Sequence, residues 1–163
     1  MTVLLLSAVV LAQTPDLSGT WSLDAKRSTA VGGGRGSGTG AGGGRGGGLG
    51  LGPPPDRLTI AQTAATLTIE ARAAGSTRKI VYALDGRTTT NPMPAGRSGG
   101  APASSTAHWD QGRLVVSISV PNGSSRAGTV EYQEVWSLDT DGSLIVETTM
   151  VGQPNLRRCV YKK

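Results

Sequence analysis

From residue 56 onward, apolar and polar residues alternate with a period of two, which is the pattern of a sheet that buries one face. The alternation predicts nine strands, over residues 56–62, 65–72, 77–84, 87–90, 104–109, 113–120, 127–138, 143–151 and 156–162. A tenth strand is predicted around Trp21, within residues 18–24. No segment has a convincing helical period, so the sequence predicts an all-β fold.

The connections between these strands are of two kinds. Tight turns, rich in the Asp and Gly that tolerate positive φ, are predicted at 64–65, 85–87, 110–112 and 139–142. Longer connections are predicted at the Gly tract 32–52, and at 73–76, 91–103, 121–125 and 152–155. If successive strands pair as hairpins and 87–90 is a separate strand, all long connections lie at one end of the sheet. We therefore expect an antiparallel meander that closes into an up-and-down barrel of 8–10 strands, with an open mouth and a closed base.

The chain of 163 residues has room for one small β domain. Residues 1–12 are predicted to be a signal peptide, because 3–12 is an apolar run too short to span a bilayer and ends in small residues. The alternative is a buried N-terminal strand. The domain then covers 13–163 and is secreted or periplasmic, without membrane attachment after cleavage. Within it we expect a disordered Gly-rich loop at 32–55 and a Pro/Gly loop at 91–103.

The three tryptophans are predicted to meet at the base of the barrel. Trp21 comes early on a strand that rises from the base, whereas Trp109 and Trp136 come late on strands that descend to it. They would form a structural plug that closes this end.

Gly19-Thr20-Trp21 on a first strand, followed by a long loop and an antiparallel meander, resembles the calycins, which include lipocalins, fatty-acid-binding proteins and avidins. The resemblance implies a lipocalin-like barrel whose first-strand Gly-x-Trp closes the base. It also implies that a late Lys or Arg lies on the Trp ring as a cation on an aromatic face. The candidates for that cation are Lys162, which is nearest the base, and Arg158.

The most apolar register of each strand predicts which side chains point into the barrel. A ligand pocket would have apolar walls and a polar end formed by Tyr132, Glu134 and Arg158. The predicted apolar wall residues are Leu58, Ile80, Ile118, Val120, Val130 and Met150. Because an unpaired buried carboxylate is costly, Glu134 should meet Arg158, line a wet cavity or be protonated. The alternative is a filled barrel in which Glu134 and Arg158 form an internal brace.

The sequence offers little for catalysis, since it has one His and one Cys. His108 is expected on the outer surface, and no spacing of ligands suggests a metal or cofactor. The formal charge of +5 comes from scattered residues, and the Arg-Gly pairs of the Gly tract lack aromatics, so nucleic acid is not an expected partner. The leading hypothesis is a monomeric exported barrel that binds a small, mainly apolar ligand without catalysis. The alternative is a protein-interaction or protease-inhibitor-type barrel with a filled interior.

Overall fold

Strands alone make up the regular structure in the part of the chain that the computed structural model describes, which comprises residues 14–30, 54–93, 101–121, 128–152 and 157–163. The predicted signal peptide 1–12 and the Gly tract 32–52 lie outside these residues, as do positions 94–100 of the predicted Pro/Gly loop. The strands are β1 Gly19–Leu23, β2 Thr29–Ala30, β3 Arg57–Gln62, β4 Thr66–Ala73, β5 Ser76–Ala83, β6 Thr89–Asn91, β7 Ala103–Asp110, β8 Arg113–Pro121, β9 Thr129–Leu138, β10 Leu144–Met150 and β11 Arg157–Lys162. Each of the ten predicted strands is present, including the short one near 87–90.

The strands form one antiparallel sheet in the order β5-β4-β3-β1-β11-β10-β9-β8-β7-β6. The last strand pairs with the first, with Ser22 opposite Lys162 and Leu23 opposite Tyr161. The other neighbours are consecutive along the chain and pair as hairpins, except that β2 lies between β1 and β3 in the sequence. The predicted fold class, an all-β antiparallel meander that curls into an up-and-down barrel, is therefore confirmed.

The strand β2, which the alternation did not predict, continues the pairing of β1 with β11. After Leu23 the chain makes a five-residue detour, and Thr29 and Ala30 then pair with Arg158 and Arg157. Inside the detour, the Asp24 N–H donates to the Val160 carbonyl at 2.8 Å and the Val160 N–H donates to Ser28 Oγ at 3.0 Å. β1 and β2 are thus one interrupted edge that satisfies the backbone of β11.

The barrel is nearly but not fully closed. Its two end strands, β5 and β6, approach each other without forming a hydrogen-bonded ladder. The Asn91 side chain joins them instead. Its Oδ1 accepts from the Val81 N–H at 2.8 Å, and its Nδ2 donates to the Val81 carbonyl at 2.9 Å. Nδ2 also donates to Ser105 Oγ on β7 at 3.1 Å. This buried carboxamide, 7% exposed, takes the place of a peptide group in a neighbouring strand. We call it the Asn91 clasp.

The tight turns at 63–65, 84–88, 111–112 and 139–143 all lie at one end of the barrel, as predicted. One connection differs from expectation, because 73–76 is a two-residue turn at the mouth rather than a longer loop. Ala74 and Gly75 have φ of 47° and 80°, which is the geometry of a tight hairpin whose twist matches the sheet. An alanine at a position that usually holds Asn, Asp or Gly conceals this turn from sequence rules.

The base is closed by the segment that precedes β1. Leu17 is fully buried, and its carbonyl accepts from Trp21 Nε1 at 2.9 Å. Gln62 at the end of β3 holds the same segment, since its Oε1 accepts from the Leu17 N–H and its Nε2 donates to the Pro15 carbonyl. Trp21 and Trp136 belong to a single buried core, and Trp109 packs against that core while remaining partly exposed.

Candidate functional site

A cavity lies between the apolar inner faces of the barrel. Its volume is about 70 Å³ when only the positions open to the centre of a water molecule are counted. The whole space between its walls, which includes a part open to solvent, is about 720 Å³. Its lining residues are Pro55, Leu58, Ile69, Ala71, Arg78, Ile80, Tyr82, Asn91, Pro92, Met93, Ala103, Ser105, Ile118, Glu134, Trp136, Val146, Arg157, Cys159 and Tyr161. The interior is therefore neither filled nor wide, and it has room for a slim molecule.

Four of the predicted ligand-binding residues line this cavity: Leu58, Ile80, Ile118 and Glu134. The other four from β8, β9 and β10 point inward as predicted but are not among its lining residues. They pack on one another, since Val120 is opposite Val130 and Tyr132 is opposite both Ile118 and Met150. This part of the interior, nearer the mouth, belongs to the hydrophobic core.

The predicted inward register of β11 is wrong by one residue. β10 points Leu144, Val146 and Thr148 inward, and these residues are opposite Tyr161, Cys159 and Arg157. Arg158 therefore lies on the outer face, where its Nε is 3.6 Å from Glu147 Oε1. The apolar residue Val160 supported the wrong register. It is fully buried although it is on the outer side, beside the β1–β2 detour that bonds to its backbone.

The same one-residue error in the register of β11 explains why the cation over Trp21 was predicted wrongly. Lys163 Nζ lies 4.9 Å from the centroid of the Trp21 ring, whereas Lys162 Nζ pairs with Asp24 Oδ2 at 2.8 Å. Alternation along β11 explains this, because Tyr161 and Lys163 share the inner side and Lys162 points outward. Gly19 makes room for the contact: its φ is +131°, and a Cβ there would lie 3.1 Å from Lys163 Cε.

Glu134 is the only carboxyl group that lines the cavity among the described residues. Its Oε2 accepts a hydrogen bond from Trp136 Nε1 at 3.1 Å. Burial raises the pKa of the Glu134 carboxyl, and the effect is only partly offset by Arg157, by the Trp136 hydrogen bond and by Arg78. The arginine that has the larger charge effect on Glu134 is thus Arg157, which precedes the predicted Arg158.

Three further titratable groups line the cavity near Glu134. Burial raises the pKa of Tyr82 and Tyr161 well above the ordinary value of a phenol, and it raises the pKa of the Cys159 thiol. All three groups are therefore neutral around neutral pH. Cys159, on the last strand, forms part of the cavity wall.

Thr148 lies in the sheet between Glu134 and Arg157, two of the three charged wall residues. It is opposite Glu134 on one side and Arg157 on the other. Its side chain is fully buried, and its hydroxyl has no hydrogen-bond partner among the described residues. Thr148 does not itself line the cavity, and its hydroxyl is thus an exception, among the described residues, to the rule that buried polar groups are satisfied.

Sequence reasoning missed four polar or charged wall residues: Arg78, Asn91, Ser105 and Arg157. Arg78 was detectable, because it precedes Ile80 and Tyr82 in the same inward register of β5. Asn91 and Ser105 gave no signal, since a polar residue on a strand is ordinarily assigned to the outer face. Their burial depends on the gap between β5 and β6, which alternation does not reveal.

His108 lies exposed on the outer face of β7, as predicted. Across the described ranges, no group of three or more His, Cys, Asp or Glu side chains is arranged to hold a metal ion. No helix in the same ranges has the length and apolar character needed to cross a membrane.

No protein-family model matches the sequence, and a search of curated proteins finds no match. Among solved structures, a fatty-acid-binding protein from brain tissue of Drosophila melanogaster, solved without citrate inside, is similar to this chain. The two chains are 20% identical with a TM-score of 0.48, and the match covers 66% of this chain and 71% of that chain. At this identity the likeness concerns the fold alone. The strand order and the cavity define a nearly closed antiparallel β-barrel with a narrow internal site.

Proposed function

We propose that this protein binds a small, mainly apolar ligand inside the barrel and performs no catalysis. The cavity is the observation that supports the proposal. Its walls are mostly apolar, with polar groups confined to a few positions, which is the usual composition of a small-molecule site. The part of the cavity that a water molecule can enter is small, which favours a ligand with a slim apolar body.

A cavity-filling substitution tests this proposal. Ile118 lines the cavity, and the next residue toward the base, Ser117, is exposed on the outer face of the same strand. Ile118→Phe should reduce binding of the neutral dye N-phenyl-1-naphthylamine by about tenfold or more, whereas Ser117→Phe should leave it unchanged. Dye fluorescence, followed during titration and during displacement by octanol, measures both. Equal dye binding by wild type and Ile118→Phe would place the dye elsewhere and refute the proposal.

The single cysteine gives an independent measurement. Cys159 is the only cysteine in the sequence and lines the cavity, so an occupied cavity should slow its reaction with methyl methanethiosulfonate. The matched control carries Cys159→Ser together with Ser104→Cys, because Ser104 is exposed on the outer face of β7. Octanol should protect the wild-type thiol and leave the control thiol equally reactive. Protection of neither thiol at saturating octanol would contradict binding inside the barrel.

We also propose that the protein acts outside the cytoplasm, in the periplasm or the surrounding medium. The support is the apolar run 3–12, which ends in small residues and has the form of a secretory signal. Mass spectrometry of the protein from an expressing host should show a mature chain that begins near Gln13. Recovery of the uncleaved chain from the cytoplasm would contradict export.

A further inference from the structure

A second cleft lies at the base of the barrel and is open to solvent. Its volume is about 400 Å³ when only the positions open to the centre of a water molecule are counted, which is within the range of about 300–1,000 Å³ that is usual for small-molecule sites. The segment before β1, the turn between β3 and β4 and the end of β7 form its walls. Five of the lining residues are polar, and the others are Ala64 and Trp109. None of them lines the cavity inside the barrel, so the two sites are separate.

Trp109 differs from the other two tryptophans of the base. Trp21 and Trp136 are buried, and their indole N–H groups donate to the Leu17 carbonyl and to the Glu134 carboxyl. Trp109 remains partly exposed in the cleft, and its Nε1 has no hydrogen-bond partner among the described residues. Closure of the base therefore leaves part of one indole ring and one N–H donor available to a ligand.

The polar wall opposite this indole is held in place by hydrogen bonds of its own. Asp16 Oδ1 accepts from the Ser18 N–H at 2.9 Å, and Ser18 Oγ accepts from the Gln62 N–H at 3.2 Å. Hydrogen bonds from Ser18 and, to a smaller extent, the charge of Lys163 lower the pKa of Asp16, so its carboxylate is ionised at neutral pH. Because a carboxylate has about four acceptor positions, the exposed Asp16 side chain can accept further hydrogen bonds from a ligand.

This combination matches the chemistry of a saccharide. A pyranose ring has a face of C–H groups that packs on the electron-rich face of an indole, and its hydroxyls both donate and accept hydrogen bonds. A small cation is the competing ligand for a carboxylate next to an aromatic ring. Lys163 already supplies a positive charge to Asp16, however, and the other polar side chains of the cleft are neutral. A neutral ligand is therefore favoured over a cationic one.

We propose that the cleft at the base is a second binding site, which takes a neutral saccharide with one pyranose ring packed on Trp109. Ring hydroxyls donate to the Asp16 carboxylate, and one hydroxyl accepts from Trp109 Nε1. This site goes beyond the ligand proposed for the interior of the barrel and does not depend on it.

The three indole N–H groups allow a direct test, since nitrogen-edited NMR spectra of the labelled protein show each as a separate signal. Titration with cellobiose, maltose and lactose should shift the Trp109 signal with at least one of them and leave the Trp21 and Trp136 signals in place. Sorbitol has similar hydroxyls but no ring, and it should shift none of the three. No shift of the Trp109 signal with any disaccharide up to about 100 mM would overturn the proposal. A response to sorbitol equal to that to the disaccharides, or a larger response to choline, would also overturn it.

Variants locate the site. Asp16→Ala should weaken disaccharide binding about tenfold, as expected for the loss of hydrogen bonds to a charged group. Asp85→Ala is the matched control, because Asp85 is also exposed at the base, does not line the cleft, and accepts from the Arg87 N–H at 3.1 Å in the way that Asp16 accepts from Ser18. Equal affinities of the two variants would overturn the assignment, and this comparison does not require a substitution of Trp109.

The same spectra separate this proposal from that of a ligand inside the barrel. Trp136 lines the internal cavity and Trp109 lines the cleft, so octanol should shift the Trp136 signal and leave the Trp109 signal in place. Failure of octanol to shift Trp136 would count against the internal site alone, whereas failure of the disaccharides to shift Trp109 would count against the cleft alone.

Discussion

The Asn91 clasp predicts that one carboxamide holds the two strands at the gap in the barrel. Asn91→Ala removes both hydrogen bonds to the Val81 backbone and the bond to Ser105 Oγ. Each bond contributes about 1 kcal/mol net, and a buried donor or acceptor left without a partner costs about 1–3 kcal/mol. Because Val81 is half-buried, water can replace part of what is lost. We expect a decrease of about 2–4 kcal/mol in the free energy of unfolding.

Urea denaturation measures this decrease, and amide hydrogen exchange locates it. The Val81 amide should exchange faster in Asn91→Ala, and the amides of β10, on a distant part of the sheet, should change only through the loss of global stability. Thr90→Ala is the control, because Thr90 is exposed next to Asn91 on the same strand and should change stability by less than about 0.5 kcal/mol. If Asn91→Ala matches the control in both measurements, packing rather than the carboxamide joins β5 to β6, and the reasoning is refuted.

Other residues give further predictions. Trp21→Ala should lower the free energy of unfolding in urea by about 3–5 kcal/mol, since it empties a buried site, and a loss below about 1 kcal/mol would contradict the plug. Lys163→Gln should change the indole fluorescence and cost about 0.5–1 kcal/mol, whereas Lys162→Gln should leave the fluorescence unchanged. The pKa of Glu134 is higher in the folded protein than in the unfolded chain. The contribution of Glu134 to wild-type stability should therefore decrease as pH rises between these two pKa values and stay constant above the higher one. Glu134→Gln should lack this decrease, whereas the control Glu70→Gln, on the outer face, should retain it. Urea titrations at several pH values measure both variants, and equal pH dependence of the two would refute the raised pKa.

Much of the architecture was predictable because turn chemistry and alternation are local signals. Asp-Gly turns at the base separate strands whose inward residues are large and apolar. Even a short separate strand was expected at 87–90, where the structure has Thr89–Asn91. Two features escaped. The β2 pairing spans only two residues, and the Ala74–Gly75 turn uses an alanine where sequence rules expect Asn, Asp or Gly.

The site was predictable only where one register was clearly more apolar than the other. On β11 the two registers are nearly balanced: one contains Val160, and the other contains Cys159 and Tyr161. The choice between them depends on pairing with β10 and on the detour between β1 and β2, which are contacts between distant parts of the chain. Both corrections, from Arg158 to Arg157 and from Lys162 to Lys163, follow from the register of β11 that these long-range contacts set.

The separation of the connections between the two poles has a consequence for how such a barrel can change. Except at Ala74–Gly75 and between β6 and β7, each connection at the mouth joins strands that pair with other neighbours in the sheet. The entropic cost of a longer loop grows only slowly with its length. Segments at that pole can be grafted, trimmed or exchanged while Leu17 and Trp21 keep the opposite pole unchanged. New recognition properties can therefore be built on this scaffold one loop at a time, with the sheet serving as a constant frame.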